Sequence, residues 1–279
     1  EELRFVDPHF QASRVDLVFN GIPAEEIRAE ERSASRERMR DYAETLVGVR
    51  PDWVFSHVAR AVLSKGIWRD VRILHDMDAM LAAKGERAVY FMLGTLGGQR
   101  RAKAIRQMEA DYGWPMEHEH GWPDLVNGEE VLAEMFAHFN AEHEAVKLVL
   151  VNQWGWSPEA CGQRMPADMT FADIRRGIDV EFGLSVYEPY GISQLEPLGY
   201  GGICVVSNVC GCVGLAQRAA GTEGLGDNVL VGDFTTLLTP MTIDALKGMP
   251  IEHRDALENL ESARLAEAIA ERLTDDVAA

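Results

Sequence analysis

The chain has 279 residues, of which 47% are hydrophobic and 26% are charged, a composition typical of globular proteins rather than of disordered or fibrous ones. At this length it can bury a sizeable core, as one large domain or two small ones. Lys and Arg number 27 against 45 Asp and Glu, and the formal net charge of −18 argues against broad binding to nucleic acid or to an anionic membrane. We therefore expect no nucleic-acid partner.

The first fifty residues predict a connection followed by a charged helix. Residues 15–19 are apolar and predict a short strand, and residues 20–23 predict a turn. Residues 24–47 predict a helix in which arginine recurs at every fourth position, as Arg28, Arg32, Arg36 and Arg40. Acidic neighbours screen these arginines, so we interpret the shared face as exposed to solvent, with docking onto an acidic partner domain as the alternative.

From Pro51 onward the pattern alternates between strands and helices. Strands are predicted at residues 53–59, 88–93, 146–151, 180–184, 203–207 and 228–231. Helices are predicted at residues 65–84, 101–112, 129–142, 170–176, 191–198, 213–220 and 252–273. This alternation predicts an α/β fold with a Rossmann-like, doubly wound parallel sheet.

Membrane spans and disulfides are both unexpected in this sequence. No apolar run approaches the ~18 residues that a membrane-spanning helix needs. The four cysteines are too few for a disulfide scaffold, so a reducing cytoplasm is the expected location. The pair Cys210-Gly211-Cys212 lacks a second pair at zinc spacing, and we expect buried small side chains near a turn and no metal.

Motifs of several enzyme classes are missing. The sequence contains no Gly-x-Gly-x-x-Gly after a strand, no Walker loop, no Gly-x-Ser-x-Gly and no His-Glu-x-x-His. These absences disfavour a dinucleotide oxidoreductase, a P-loop hydrolase, a serine hydrolase and a zinc protease.

The most informative segment is residues 187–197, which follow a predicted strand and open a predicted helix. Ligands bind at this position in α/β sheets. Pro189 and Gly191 fit a tight turn that exposes the amides of Tyr190, Gly191 and Ile192 at the start of the helix. Such amides bind anions, phosphates above all.

Glu188 and Glu196 flank this turn, eight residues apart. On one helix they would differ by roughly 80° around the axis and could address one ligand. The segment resembles the Glu-x7-Glu motif of retaining glycosyltransferases with the GT-B fold, the group that includes glycogen, starch and sucrose synthases. Residues 201–208 resemble the strand that comes next in the same domain.

A second resemblance lies about 120 residues upstream. Arg60 to Gly66 is similar to the Arg-x4-Lys-Gly of the same family, with Lys65 as its lysine. A diphosphate leaving group needs fixed positive charge, and an Arg and a Lys at one strand–helix junction can supply it without a metal.

The resemblance covers about residues 15–275 and corresponds only to the second half of such an enzyme. It implies an interdomain connection and charged helix at 1–50, a nucleotide-sugar-binding domain at 51–250, and a C-terminal helix at 251–279. That last helix would return toward an N-terminal acceptor domain that is absent from these residues. The long arginine-rich helix and the loop at 113–127 depart from the family pattern.

Roles for single residues are implied by the resemblance alone. Arg60 and Lys65 would hold the donor diphosphate, and Glu188 would bind hydroxyls of the transferred sugar. The amides of residues 190–192 would meet the sugar and the distal phosphate, and Glu196 would bind the ribose. The base would sit between the turn at 94–98 and the loop before Thr170. Removing Glu188 would then spare binding of the free diphosphate and weaken only that of the diphosphate sugar.

The activity implied is transfer of a hexose from a nucleoside diphosphate sugar to a sugar or glycan acceptor with retention of configuration, without cofactor or metal. Whether the isolated domain transfers or only binds the sugar stays open. A nucleotide-sugar epimerase and a non-catalytic nucleotide-sugar-binding domain are the alternatives. A sugar phosphorylase would need a pyridoxal-phosphate lysine, which the sequence does not locate.

Overall fold

The structure, a computed structural model, describes residues 25–221, 224–235 and 242–273, together with the isolated positions 7, 9, 18 and 21. The strand expected at residues 15–19 and the turn at 20–23 therefore lie outside the continuously described part. Within that part, six strands form one sheet: β1 (Trp53–Val58), β2 (Ala88–Leu93), β3 (Val146–Val151), β4 (Val180–Gly183), β5 (Ile203–Ser207) and β6 (Val229–Gly232).

The strand order is β3-β2-β1-β4-β5-β6, and every neighbouring pair is parallel. In the centre of the sheet, Phe55 of β1 lies opposite Tyr90 of β2 and Val180 of β4. The order reverses direction between β1 and β4, which makes the carboxyl ends of these two strands the crossover point of the sheet. The predicted doubly wound parallel fold is confirmed.

Nine α-helices connect and flank the strands in the described residues. They are α1 (Ala29–Val47), α2 (Ile67–Lys84), α3 (Ala102–Tyr112), α4 (Glu129–Glu142), α5 (Pro158–Cys161), α6 (Phe171–Arg176), α7 (Gly211–Ala220), α8 (Ile243–Lys247) and α9 (Ile251–Arg272). Two short 3-10 helices, Leu63–Lys65 and Glu196–Tyr200, lie in the loops after β1 and β4.

The two faces of the sheet carry separate cores because successive strand residues point to opposite sides. Phe55 and Tyr90 pack with α2, α4 and α9 on one face, whereas Val54 and Phe91 pack with α1 and α3 on the other. All four side chains are buried. Burial on both faces explains why the strands read as nearly continuous apolar runs.

Helix α1 packs against the domain through its arginines. Arg36 Nε lies 2.9 Å from the buried Asp179 Oδ1, Arg32 donates to the Tyr200 carbonyl oxygen, and Arg40 donates to a main-chain oxygen at 2.7 Å. The interpretation of this face as exposed to solvent is therefore wrong for Arg32 and Arg36, which are buried, whereas Arg28 is exposed as expected. Helical spacing identifies a shared face but not what covers it, and the covering groups come from distant loops and from the start of β4.

The helix predicted at residues 191–198 does not form. The chain runs through bends and turns to Leu195, and only Glu196–Tyr200 is helical, as a 3-10 helix. Pro197 cannot donate the hydrogen bond that a helix crossing it would need. Gln194 is buried, with its amide bound to the side chains of Ser185 and Cys210. The expected angle of roughly 80° between Glu188 and Glu196 is thus wrong as well.

Candidate functional site

The loop after β1 presents Lys65 at the crossover point through a tight turn. Lys65 N donates to Val62 O at 3.0 Å and Gly66 N donates to Leu63 O at 3.1 Å. Gly66 then begins α2 with φ +67°, in the left-handed region that favours glycine. A Cβ at this position would lie 2.3 Å from the Leu184 carbonyl oxygen, so the turn and β4 approach too closely for any side chain.

The loops after β1 and β4 are bound to each other. Ser64 O accepts hydrogen bonds from Val186 N at 2.8 Å and from Tyr187 N at 3.4 Å. Arg69, near the start of α2, donates from Nη1 to the Leu184 carbonyl oxygen at 3.2 Å. These bonds fix the main chain on both sides of the site.

Lys65 and Glu188 meet between these loops. Lys65 Nζ donates to Glu188 Oε2, and their side chains are 15% and 13% exposed. The other carboxylate oxygen, Oε1, accepts from Tyr190 N at 3.1 Å and from Gly191 N at 3.2 Å. Burial would raise the pKa of the Glu188 carboxyl, but the hydrogen bonds from Lys65, Tyr190 and Gly191 outweigh it and hold the pKa below its ordinary range.

The remaining predicted site residues lie apart from this cluster or are unpaired. Glu196 Oε2 lies 3.4 Å from Arg175 Nη1, and Arg175 also binds the buried Glu181 at 2.7 Å. Arg60 is exposed, and no ion pair links it to any residue of the described ranges. Ile192 follows the two amides that Glu188 occupies. The structure thus joins Lys65, Glu188 and two of the three predicted amides.

The buried side chains of Gln194, Cys210 and Cys212 pack beside the Glu188 loop, a contact that was not predicted from the sequence. Cys210 Sγ donates to Gln194 Oε1 at 2.9 Å and lies 2.8 Å from Cys212 Sγ. The hydrogen bond between the two thiols lowers the pKa of Cys210 and raises that of Cys212. Both cysteines are buried at the start of α7, as expected. The sequence places both cysteines directly after β5. Because the carboxyl ends of parallel strands share one edge of the sheet, this position could have predicted that they lie near the Glu188 loop.

Gly211, between these cysteines, holds the Glu188 main chain. Gly211 N donates to the Glu188 carbonyl oxygen at 2.9 Å. A Cβ on Gly211 would lie 1.9 Å from the Pro189 carbonyl oxygen. The absence of a side chain therefore allows α7 to begin directly against the Glu188 turn.

A buried network fixes the turn at residues 94–98, near which the base of a nucleotide was expected. Glu129 Oε1 accepts from Leu96 N at 2.7 Å and from Gly97 N at 3.0 Å, and Arg100 donates to Oε2. Burial would raise the pKa of the Glu129 carboxyl, but these hydrogen bonds and one from Thr95 hold it below its ordinary value. The two amides are thus already occupied by a side chain.

An apolar cavity of about 620 Å³ adjoins the loop that carries Lys65. Leu63 and Val131 on its wall are 84% and 67% exposed. Among the described residues, none that lines the cavity is charged; the lining residues are Ala61, Val62, Leu63, Ser64, Ile67, Trp68, Leu96, Asn127, Gly128, Val131, Leu132 and Met135.

Two further properties of the described residues are their capacity to hold a metal ion and the length and apolar character of their helices. Within the described ranges, no cluster of three or more His, Cys, Asp or Glu side chains is placed to hold a metal ion. Among the helices of the same residues, none combines the length and the apolar character that crossing a membrane requires.

Comparisons with known proteins give weak structural similarities only. No family model and no curated protein matches the sequence. Among solved structures, the chain is similar to WaaG, a glycosyltransferase involved in lipopolysaccharide biosynthesis, with 16% identity and a TM-score of 0.45 over 98% of this chain and 56% of that one. It is also similar to an α,α-trehalose-phosphate synthase (UDP-forming) from Burkholderia vietnamiensis, with 14% identity and a TM-score of 0.37 over 88% of this chain and 50% of that one.

A third similar structure is a trehalose-6-phosphate protein from E. coli bound with UDP-2-fluoro glucose. Identity is 13% and the TM-score is 0.39, over 90% of this chain and 50% of that one. The chain therefore spans about half the length of each structure it resembles. The assignment of the fold stands on the strand order and pairing of the sheet itself.

Proposed function

We propose that this chain is the donor-binding half of a retaining GT-B glycosyltransferase, and that it binds a nucleoside diphosphate sugar where β1 and β4 end. The observation that carries the proposal is the convergence of the Lys65 ammonium and the amides of Tyr190 and Gly191 on one carboxylate, that of Glu188. Donors that hold a carboxylate also suit a phosphate oxygen.

Lys65 and Arg60 would bind the diphosphate of the donor. Lys65 is held in place by the turn that ends at Gly66. Arg60, which has no ion-pair partner among the described residues, precedes that turn and has a long side chain to close on the ligand. As the bond to the sugar breaks, the diphosphate gains negative charge, and positive side chains already in position stabilise it. This arrangement needs no metal and no cofactor.

The carboxylates of Glu188 and Glu196 would accept hydrogen bonds from hydroxyls of the donor. Glu188 is close enough to Lys65 to reach the sugar attached to a diphosphate bound there. Glu196 would accept hydrogen bonds from the ribose, with Arg175 holding its carboxylate at 3.4 Å. A carboxylate that accepts from two hydroxyls is a specific acceptor site for a sugar ring.

The transferred group would be a hexose, with the incoming hydroxyl attacking from the face that the diphosphate leaves. The acceptor would be a sugar or glycan bound by a proposed N-terminal acceptor domain. We expect that domain to lie over the crossover point and to cover the exposed Leu63 and Val131. The four cysteines are all free and buried, which supports a reducing, cytoplasmic location.

A panel of nucleoside diphosphates and their sugars tests the proposal by thermal unfolding, because only a ligand of the native state raises the melting temperature. We expect the nucleotides of one base to raise the melting temperature of the chain, and the diphosphate sugar to raise it more than the free diphosphate does. If no nucleotide raises the melting temperature, the proposal is wrong. Turnover of the sugar without any acceptor would instead favour the epimerase, and binding without transfer when the acceptor half is supplied would favour a non-catalytic domain.

A further inference from the structure

The Glu188 side chain occupies the anion site that the sequence predicts. One oxygen of the Glu188 carboxylate accepts from Lys65 Nζ, and the other accepts from the amides of Tyr190 and Gly191. The carboxylate thus binds the three donors that the structure brings together there, Lys65 Nζ and the amides of Tyr190 and Gly191. An incoming phosphate and this carboxylate have the same sign of charge and compete for the same donors.

Resting on the proposed function, we propose that Glu188 is the specificity-determining residue of the site, because the ligand must displace its carboxylate. A bare anion gains Lys65 and the two amides but leaves Glu188 without donors in a half-buried position, which is costly. A diphosphate sugar supplies the anion and, through its hydroxyls, new donors for the displaced carboxylate. The exchange therefore favours diphosphates that carry a sugar over those that do not.

The displacement requires only the side chain of Glu188 to move. Its carbonyl oxygen is held by Gly211 N at 2.9 Å, and Ser64 O holds the preceding amides of Val186 and Tyr187. The main chain on both sides of the carboxylate is thus anchored, so the displacement takes place by a change of the side-chain rotamer of Glu188. The same carboxylate can occupy the anion site and, after rotation, the sugar site.

The competing interpretation is a permanent structural ion pair between Lys65 and Glu188. The two interpretations differ in their effect on bare anions. Loss of a structural pair leaves the Lys65 loop less well positioned and weakens or leaves unchanged the affinity for an anion. Loss of a displaceable carboxylate removes a competitor and strengthens that affinity. The expectation from the family resemblance, that removal of Glu188 spares binding of the free diphosphate, corresponds to the unchanged affinity of the structural pair.

Calorimetry on the full 279-residue chain distinguishes a displaceable Glu188 carboxylate from a structural ion pair. The variants are Glu188→Gln and Glu188→Ala, with Glu271→Gln as a control that removes one exposed carboxylate near the end of α9. The ligands are inorganic pyrophosphate, the best nucleoside diphosphate of the panel, and its sugar. Melting temperatures without ligand establish that each variant is folded.

We expect both Glu188 variants to bind pyrophosphate and the free diphosphate about ten-fold more tightly than the native chain, since one charge-assisted competitor is lost. The preference for the diphosphate sugar over the free diphosphate should fall by at least the same factor. Glu271→Gln should change neither value.

Unchanged or weaker pyrophosphate binding in both folded Glu188 variants overturns the inference, and so does equal tightening in Glu271→Gln. Failure of the proposed function has a different signature, because pyrophosphate then binds and tightens as expected while no nucleotide binds at all. If nucleotides bind but the preference for the sugar form survives in both variants, the proposed function stands and the specificity role of Glu188 is wrong.

Discussion

Arg36 and Asp179 form an ion pair of 2.9 Å between α1 and the residue that precedes β4, with their side chains 10% and 0% exposed. The second oxygen of Asp179 accepts from Val54 N at 2.7 Å, at the start of the central strand β1. Burial raises the pKa of the Asp179 carboxyl, and the positive charge of Arg36 opposes that rise. The pair therefore joins the arginine-rich helix to the centre of the sheet.

Arg36→Ala should be strongly destabilising, because it leaves Asp179 buried without its counter-charge. Loss of one partner of a buried pair costs about 3–5 kcal/mol of the free energy of unfolding. Urea unfolding measures this loss, with Arg28→Ala as the control, since Arg28 pairs with Glu31 in an exposed position directly before the same helix. A similar small loss in both variants would show that α1 is not joined to the sheet in this way.

Glu129→Gln should reduce the sensitivity of the fold to acid. The pKa of Glu129 lies below its ordinary value of 4.5 in the folded chain, so the unfolded chain takes up the proton at a higher pH. The stability that Glu129 contributes is therefore present above about pH 4.5 and is lost as the pH falls through the folded-state pKa. Denaturant titrations between pH 7 and pH 3.5 measure this slope.

The expected result is a native chain that loses stability on acidification more steeply than the Glu129→Gln variant. Glu130→Gln, in the same turn of α4 and only partly buried, serves as the control and should keep the native slope. Identical slopes in all three proteins would contradict the assigned network.

Lys65→Ala should weaken binding of the nucleoside diphosphate by about ten- to a hundred-fold, the equivalent of one charge-assisted hydrogen bond. Calorimetry gives the affinity directly. Lys103→Ala removes an exposed lysine from α3 and corrects for the general effect of charge in an acidic protein. Comparable weakening in the two variants would argue that Lys65 acts only through net charge.

Gly211→Ala should lower both stability and donor affinity, because its Cβ would lie 1.9 Å from the Pro189 carbonyl oxygen. Overpacking of this kind costs about 1–3 kcal/mol. Gly199→Ala is a matched control, since a Cβ there meets no atom within 4 Å. Thermal unfolding with and without ligand reads out both effects. If Gly211→Ala has the same melting temperature and donor affinity as the control, the Glu188 turn can shift to accommodate the added Cβ.

The sheet could be predicted from sequence because each strand is buried on both faces, and runs such as residues 88–93 and 146–151 have few other ways to fold. The contact between Lys65 and Glu188 follows from the same topology, since adjacent parallel strands end at one edge. What could not be predicted depends on long-range side-chain contacts. Gln194 competes with helix formation by binding Ser185 and Cys210, and no local pattern reports such partners.

The hydrogen bonds between Ser64 O and the amides of Val186 and Tyr187 have a consequence for the rate of ligand binding. Since these bonds tie the two loops together, we expect capture of the proposed ligand to need a rotation of the Glu188 side chain, which is faster than a loop closure. Stopped-flow traces should contain a single phase whose rate rises linearly with ligand concentration, without the plateau that a slow isomerisation imposes.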